Sequence, residues 1–261
     1  MRSVRLLSGY DMPTVGLGTW QAKPDEIETA VSTALECGYR HIDTASNYNN
    51  EEAIGKALKK WFEKGGTRKE LFITTKEMEQ QVKLGRTRSI GLSNFNEKQI
   101  MTIWENAQIK PSNLQVELHA YMQQKSIREL CKKYNIVITG YSPLGSPAAK
   151  THFETKYKYT LEKCHDLLNH PIIQDIAAKH KKTTAQILLR YLLQLDIVII
   201  PKSSSPERIK SNIDLFDFAL TENDMKVLNS LDKGANGRIF NFLFFKGVQN
   251  HPHYPFKNEL L

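Results

Sequence analysis

Two kinds of hydrophobic pattern alternate along the chain. Short apolar runs end abruptly on polar residues, and between them lie longer stretches whose apolar positions recur every three to four residues. The first pattern predicts strands and the second predicts helices. Residues 4–15 read as a short hairpin turning at "SGYD", and residues 15–19 as a first strand. In residues 25–37, Ile27, Ala30, Val31 and Ala34 fall on one helical face, and Gly38 ends the run. A strand at 39–44 is followed by a helix at 51–64, with Ile54, Ala57, Leu58 and Trp61 in phase and a stop at Gly65 and Gly66. Further strands are predicted at 71–75, 89–93, 114–118, 136–141 and 197–200. Further helices are predicted at 77–84, 97–108 (through Ile100, Ile103, Trp104 and Ala107), 125–134, 171–180 and 184–194. Ser205 caps a helix that has Pro206 at its first position, a favoured start, and Thr221 opens the last helix. Residues 145–166 and the tail from Gly234 onward show no clear period.

Strands that each lead into a helix imply a parallel sheet. About seven such units in a chain of 261 residues, with no break in composition, predict a single α/β domain spanning 1–261, a TIM-type (β/α)8 barrel. A doubly wound open sheet is the alternative. Against it, no G-x-G-x-x-G follows the first strand.

Composition narrows the function. The chain is 40% hydrophobic and 25% charged, ordinary values for a soluble globular protein, and no apolar run is long enough to span a membrane. The N-terminus has no apolar core of a secretory signal. Cys37, Cys131 and Cys164 are widely spaced and odd in number, which predicts reduced thiols and a cytoplasmic protein rather than a disulfide framework. The net charge of +8 is spread among acidic residues, and "LKKW" and "KHKK" are short. It reads as solvated surface that also favours an anionic small molecule, with no nucleic acid or membrane partner.

Chemistry in such a barrel gathers where strands end. The predicted ends carry Asp43 with Tyr48 just beyond, Lys76, Ser93–Asn94, Gln115 with Glu117, Tyr141–Ser142 and Pro201–Lys202–Ser203. A tyrosine hydroxyl titrates near 10 and is a poor acid at neutral pH. A nearby lysine lowers that value, and an aspartate holds the lysine charged. Asp43, Tyr48 and Lys76 therefore suit a tuned proton donor for a carbonyl oxygen, or else a buried ion pair beside a satisfied tyrosine. In "IPKSSSPERIKSN", a strand leads through Lys202 and Ser203 into a Ser-capped helix with Arg208 in its first turn, an arrangement suited to a phosphate.

These motifs resemble the aldo-keto reductase family, near the aldose reductase branch. The resemblance rests on "GLGTW", "GYRHIDTASNYNNEEAIGKAL", "FITTK", "IGLSNF", "LQVELHAY", "YSPLGS", "IPKSSSPERI" and "HYPF", collinear across nearly the whole chain. It implies NADPH-dependent reduction of an aldehyde or ketone to an alcohol by a monomer. Tyr48 would donate the proton, tuned by Lys76 and Asp43. Ser93, Asn94 and Gln115 would hold the nicotinamide carboxamide, and Tyr141 would stack on its ring. Ser142, Leu144 and Ser146 would line the pyrophosphate. Lys202, Ser203 and Arg208 would grip the 2′-phosphate, and Asn212 would contact the adenine. Ser211 stands where close relatives often carry a glutamate. Trp20 would line the substrate pocket. No metal is implied; a Cys164–His165–His170 cluster matches no zinc spacing.

One unit is missing from this pattern. The family has another helix, another strand and a long loop after the residue matched by Lys76; here Glu77 alone separates it from the helix containing Met78. The missing strand would end in the family's catalytic histidine. None of the eight histidines replaces it: His41 lies inside a strand, His119 matches a different family position, and the others lie away from strand ends. The flanking strands would face a gap of about 10 Å, two strand spacings. They either close into a seven-stranded barrel, or leave ladder groups unpaired at about 1–3 kcal/mol each, with a free edge that favours association. The alternatives to an active reductase are a non-catalytic NADPH-binding protein and an inactive isoform.

Overall fold

The computed structural model describes residues 2–75, 81–82, 84–161 and 166–259. The predicted helix over 77–84 falls largely outside these residues. So do Lys76, Cys164 and His165.

The chain opens with an antiparallel hairpin of β1 (Ser3–Arg5) and β2 (Asp11–Pro13), paired Ser3 to Pro13. Its Leu6 and Met12 bury against Val137 and Val198, with Val4 and Phe72 alongside. The hairpin thus plugs the end of the barrel at which the strands begin.

Among the described residues, seven parallel strands follow. They are β3 (Leu17–Gly18), β4 (His41–Asp43), β5 (Phe72–Thr74), β6 (Gly91–Ser93), β7 (Asn113–Glu117), β8 (Val137–Tyr141) and β9 (Val198–Ile199). Two sheets result, β3-β4-β5 and β6-β7-β8-β9. Parallel bridges Val15–Ile199 and Gly18–Lys202 join β3 to β9, so the spatial order is β5-β4-β3-β9-β8-β7-β6. Among the described residues no ladder joins β5 to β6, the two strands on either side of the place where a unit is expected to be missing. Their burial agrees: β5 is only partly covered and Gly91 is exposed, whereas β4 and β9 are fully buried.

The closed seam depends on a glycine. A Cβ on Gly18 would lie 2.5 Å from the backbone carbonyl of Ile200, so no larger residue fits without moving β9. The helices are α1 (Pro24–Glu36), α2 (Glu51–Glu63), α3 (Glu97–Asn106), α4 (Lys125–Lys133), α5 (Ala149–Tyr157), α6 (Pro171–His180), α7 (Thr184–Gln194), α8 (Pro206–Ile213) and α9 (Glu222–Asn229). Side-chain caps start several of them: Asn96 with Gln99, Thr183 with Gln186, Ser205, and Thr221 with Asp224. Ile27, Ala30, Val31 and Ala34 are buried on α1 as the periodicity predicts.

Two expectations need correction. Ile103 is 36% exposed, because the inner face of α3 is carried by Ile100 with Trp104 half-buried behind it. And α5 lies in the stretch read as patternless. Only Ala149 and Phe153 of its nine residues are buried, one contact per turn, too few to give a periodic signal. Cys131 is buried, its thiol pushed up to about 12 by burial, and Cys37 is half-buried; both are free.

Candidate functional site

The polar strand ends meet at the mouth opposite the hairpin. On β4, Asp43 is buried, and its Oδ1 accepts a hydrogen bond from Gln115 Nε2 of β7 at 2.8 Å. Thr19 Oγ1 donates to the Asp43 carbonyl at 2.8 Å, and Asn50 Nδ2 donates to the Thr19 carbonyl at 2.9 Å. These bonds lock the ends of β3 and β4 to the start of α2. Between them a short 3-10 turn, Ser46–Tyr48, presents Tyr48, followed by Asn49 in the left-handed region at φ 55°. Burial first, and then the Asp43 carboxylate, push the Tyr48 hydroxyl above the ordinary phenol value of 10.0. A cation is needed to bring it down. Lys76, the residue expected to do so, lies outside the described residues.

Across the mouth the expected cofactor residues are brought together in part. Ser93 ends β6. Asn94 follows at φ 60°, and its Oδ1 accepts the Tyr141 hydroxyl proton at 3.0 Å. Both amides expected to hold a carboxamide, Asn94 and Gln115, thus have protein partners. Ser142, Gly145 and Ser146 all take positive φ, and Ser146 Oγ donates to Ser142 Oγ at 2.7 Å. Such turns aim successive N–H groups into one concavity, as an anion requires. Leu144 packs half-buried against the main core.

Beyond β9, Lys202 is exposed and Ser203 is buried, the Ser203 Oγ accepting the Ser205 N–H at 3.1 Å. Ser205 Oγ in turn accepts the Arg208 N–H at 3.3 Å and donates to Glu207 at 2.8 Å. Partial desolvation lowers the Lys202 ammonium, Glu26 opposes it, and Arg208 adds to it. Two exposed cations beside a capped helix start, neither ion-paired among the described residues, fit a phosphate group. Asn212 is buried one turn further along.

Trp20 stands over the mouth in an aromatic cluster, 5.4 Å from the ring of Phe240, 5.6 Å from His152 and 6.3 Å from Phe153. Phe240 also packs on Tyr141 at 5.9 Å, linking the two sides of the mouth. Three features here escape a sequence reading. His152, which lies away from every strand end, has its Nε2 buried without a partner among the described residues, beside Trp20. Glu117, fully buried at the end of β7, accepts the backbone N–H groups of Ile239 and Phe240 at 2.8 and 2.9 Å and lies 3.0 Å from His119 Nε2. The patternless tail is thereby tied into the site. Arg238 forks onto Glu259 and lies 3.7 Å above the Phe256 ring, while Asn96 and Gln99 donate to the carbonyls of Pro255 and His253. Only the acidic strand end gave a signal for this clasp; its backbone partners carry none.

The buried histidines are otherwise engaged. His41 contacts the Pro13 carbonyl at 3.2 Å and Thr74 Oγ1 at 3.0 Å, and burial lowers its value to about 4. Among the described residues no group of three metal-ligating side chains occurs, and no helix is long and apolar enough to cross a membrane.

Known proteins show the same layout. The family described as "Aldo/keto reductase family" matches residues 14–81 and 76–233, two stretches that overlap where the missing unit is expected. The chain is 34% identical to aldo-keto reductase family 1 member A1 of Gallus gallus, over 98% of this chain and 97% of that one. That alignment runs over 328 positions, more than this chain's 261 residues, so the relative carries residues absent here. Among solved structures, the aldose reductase of Schistosoma japonicum superposes with a TM-score of 0.86 at 32% identity, covering 99% of this chain and 100% of that chain. A Bombyx mori aldo-keto reductase in complex with NADP gives 0.85 at 30% identity, covering 97% and 98%. The family model, the relatives and the solved structures agree, and the chain belongs to the aldo/keto reductase family.

Proposed function

We propose that this chain reduces aldehyde or ketone carbonyls to alcohols with NADPH, with Tyr48 as the proton donor. The observation that carries the reading is the placement of Tyr48 and buried Asp43 at one side of a mouth whose other side ends in the free cations Lys202 and Arg208. The family's cofactor is NADPH, which supplies the hydride when bound. The protein's own task is to seat it and to place a proton. Lys202, Ser203 and Arg208 suit the 2′-phosphate, Asn212 the adenine, and Ser142, Leu144 and Ser146 the pyrophosphate. Ser93, Asn94, Gln115 and Tyr141 suit the nicotinamide, once Gln115 gives up Asp43 and Asn94 gives up the Tyr141 hydroxyl. Tyr48 Oη then donates its proton to the carbonyl oxygen and regains one from water. Asp43, with Lys76 as the intended cation, sets the charge beneath it. Trp20 and Phe240 wall the substrate pocket.

The test is NADPH consumption with a generic aromatic aldehyde. Turnover should fall by about 10²–10⁴ in Tyr48→Phe with the fold intact. A Tyr48→Phe enzyme as fast as the parent would refute the assignment. A second reading, NADPH binding without turnover, is favoured by the engaged Asn94 and Gln115 amides and by the absence of a β5–β6 ladder among the described residues. It predicts a thermal shift with NADPH, smaller with NADH, and no aldehyde-dependent oxidation. In either reading the proposed partner is a small molecule in the cytoplasm, and the β5 and β6 edges, without a ladder to each other among the described residues, would favour association that light scattering would detect.

A further inference from the structure

The end of the barrel away from Tyr48 holds a cavity that carbonyl reduction does not use. Its volume is about 340 Å³, and it opens where strands begin, between the start of the hairpin, the residues before β3 and β9, and the segment after α8. Leu193 and Phe216 give it apolar walls; Arg2, Arg190, Gln194 and Asp196 give it polar ones.

Arg190 is the unusual member. It is buried, with 8% of its surface exposed. Its Nε donates to Gln194 Oε1 at 2.9 Å and its Nη1 to the Leu215 carbonyl at 3.1 Å. Both acceptors are neutral, so neither balances the charge. Among the described residues Arg190 makes no ion pair, and its Nη2 makes no hydrogen bond. Arg2 faces the same cavity with its guanidinium 5.3 Å from the Phe216 ring, and it too has no ion pair among the described residues. Burial, and then the charge of Arg2, hold Arg190 below the ordinary arginine value; Asp217 pulls the other way but is itself paired with Lys182 at 2.6 Å. Two guanidinium groups beside one void, the inner one desolvated, lack an anion.

We propose that this cavity binds a small amphipathic carboxylate, its carboxylate paired with Arg190 and Arg2 and its hydrocarbon body on Leu193 and Phe216. A guanidinium edge matches a planar carboxylate. Asp196 at the rim opposes a second negative charge, which disfavours a phosphate dianion. The volume corresponds to about ten waters at roughly 30 Å³ each, enough for one substituted ring. The site lies at the opposite end from the reacting groups and does not depend on the reductase reading.

The experiment is thermal melting of the full chain with sodium benzoate, against sodium chloride and sodium phosphate at equal ionic strength. Benzoate should raise the Tm saturably, chloride should not, and phosphate should act more weakly. The benzoate response should need about tenfold more ligand in Arg2→Gln and in Arg190→Gln, as loss of one charge-assisted pair implies, and should persist in Tyr48→Phe. No saturable shift, or an unchanged response in Arg2→Gln, overturns the proposal. So does a response lost in Tyr48→Phe, which would put benzoate at the other mouth, and so does phosphate acting more strongly than benzoate. If Arg190→Gln does not melt cooperatively, exposed Arg2 alone decides.

Discussion

At the seam between β3 and β9 the backbone closes on itself. Gly16 and Gly18 donate to the carbonyls of Ile199 and Pro201 at 2.8 and 3.2 Å, and Ile199 donates back to Thr14 at 2.9 Å. At the seam between β5 and β6, no ladder occurs among the described residues. The two seams divide the site. The strands β3 to β5 and the turns after them carry Trp20, proposed for the substrate pocket, with Asp43 and Tyr48, proposed for the proton, whereas β6 to β9 and the turns after them carry the residues proposed for the cofactor. Among the described residues the two halves are thus joined by strand pairing at the β3–β9 seam and by no ladder from β5 to β6.

The largest effect expected on this contrast comes from acid. His41 sits in β4 and reaches Thr74 of β5, so it holds the proton-donor half together. Its folded value, about 4, lies below the ordinary histidine value of 6.5 because the ring is buried. The unfolded chain therefore takes up the proton first as pH falls, and stability present above 6.5 is lost down to about 4. That loss should approach roughly 3 kcal/mol, read by urea unfolding at several pH values, and a His41→Gln variant should show a flatter profile. Equal slopes in both proteins would remove His41 from the account.

Breaking the closed seam directly comes next. Gly18→Ala should cost about 1–3 kcal/mol, since its methyl must displace the Ile200 carbonyl. An unchanged urea midpoint would mean that β9 shifts freely and the seam is not a fixed joint. On the cofactor half, Lys202→Gln with Arg208→Gln should weaken NADPH binding about tenfold or more and leave NADH nearly unaffected, because only the former has the 2′-phosphate. A parallel loss for both dinucleotides would place those cations elsewhere. The smallest and most local effect is in hydrogen exchange. Amides of β5 and β6 should open at lower free energy than those of β7 and β8. Uniform protection would show that the described gap is bridged.

The sequence was most legible where chemistry and period coincide. The strands ending at Asp43, Ser93, Glu117 and Tyr141 were recovered, because an apolar run cut short by such a residue has few other folds to adopt, whereas Lys76, expected to follow the strand at 71–75, lies outside the described residues. The helices started by Ser205 and Thr221 were recovered equally well, since these caps are local signals. What stayed hidden depends on distance. Glu117 holds two backbone N–H groups more than a hundred residues away, and no residue type marks such an acceptor's partner. The Gln115–Asp43 bond crosses the barrel for the same reason. The helix α5 was missed because two buried residues do not make a stripe.

The clasp at Glu117 has one more consequence. Glu117 belongs to the half that ends in β9, while Phe240, which it holds by the backbone, leans on Trp20 of the other half. The tail thus links the two halves at the mouth as well as packing over it. On the proposed function, in which Phe240 walls the substrate pocket, a replacement of Phe240 that admits a bulkier carbonyl would also slacken this link, so substrate range and rigidity would be one inherited trait rather than two.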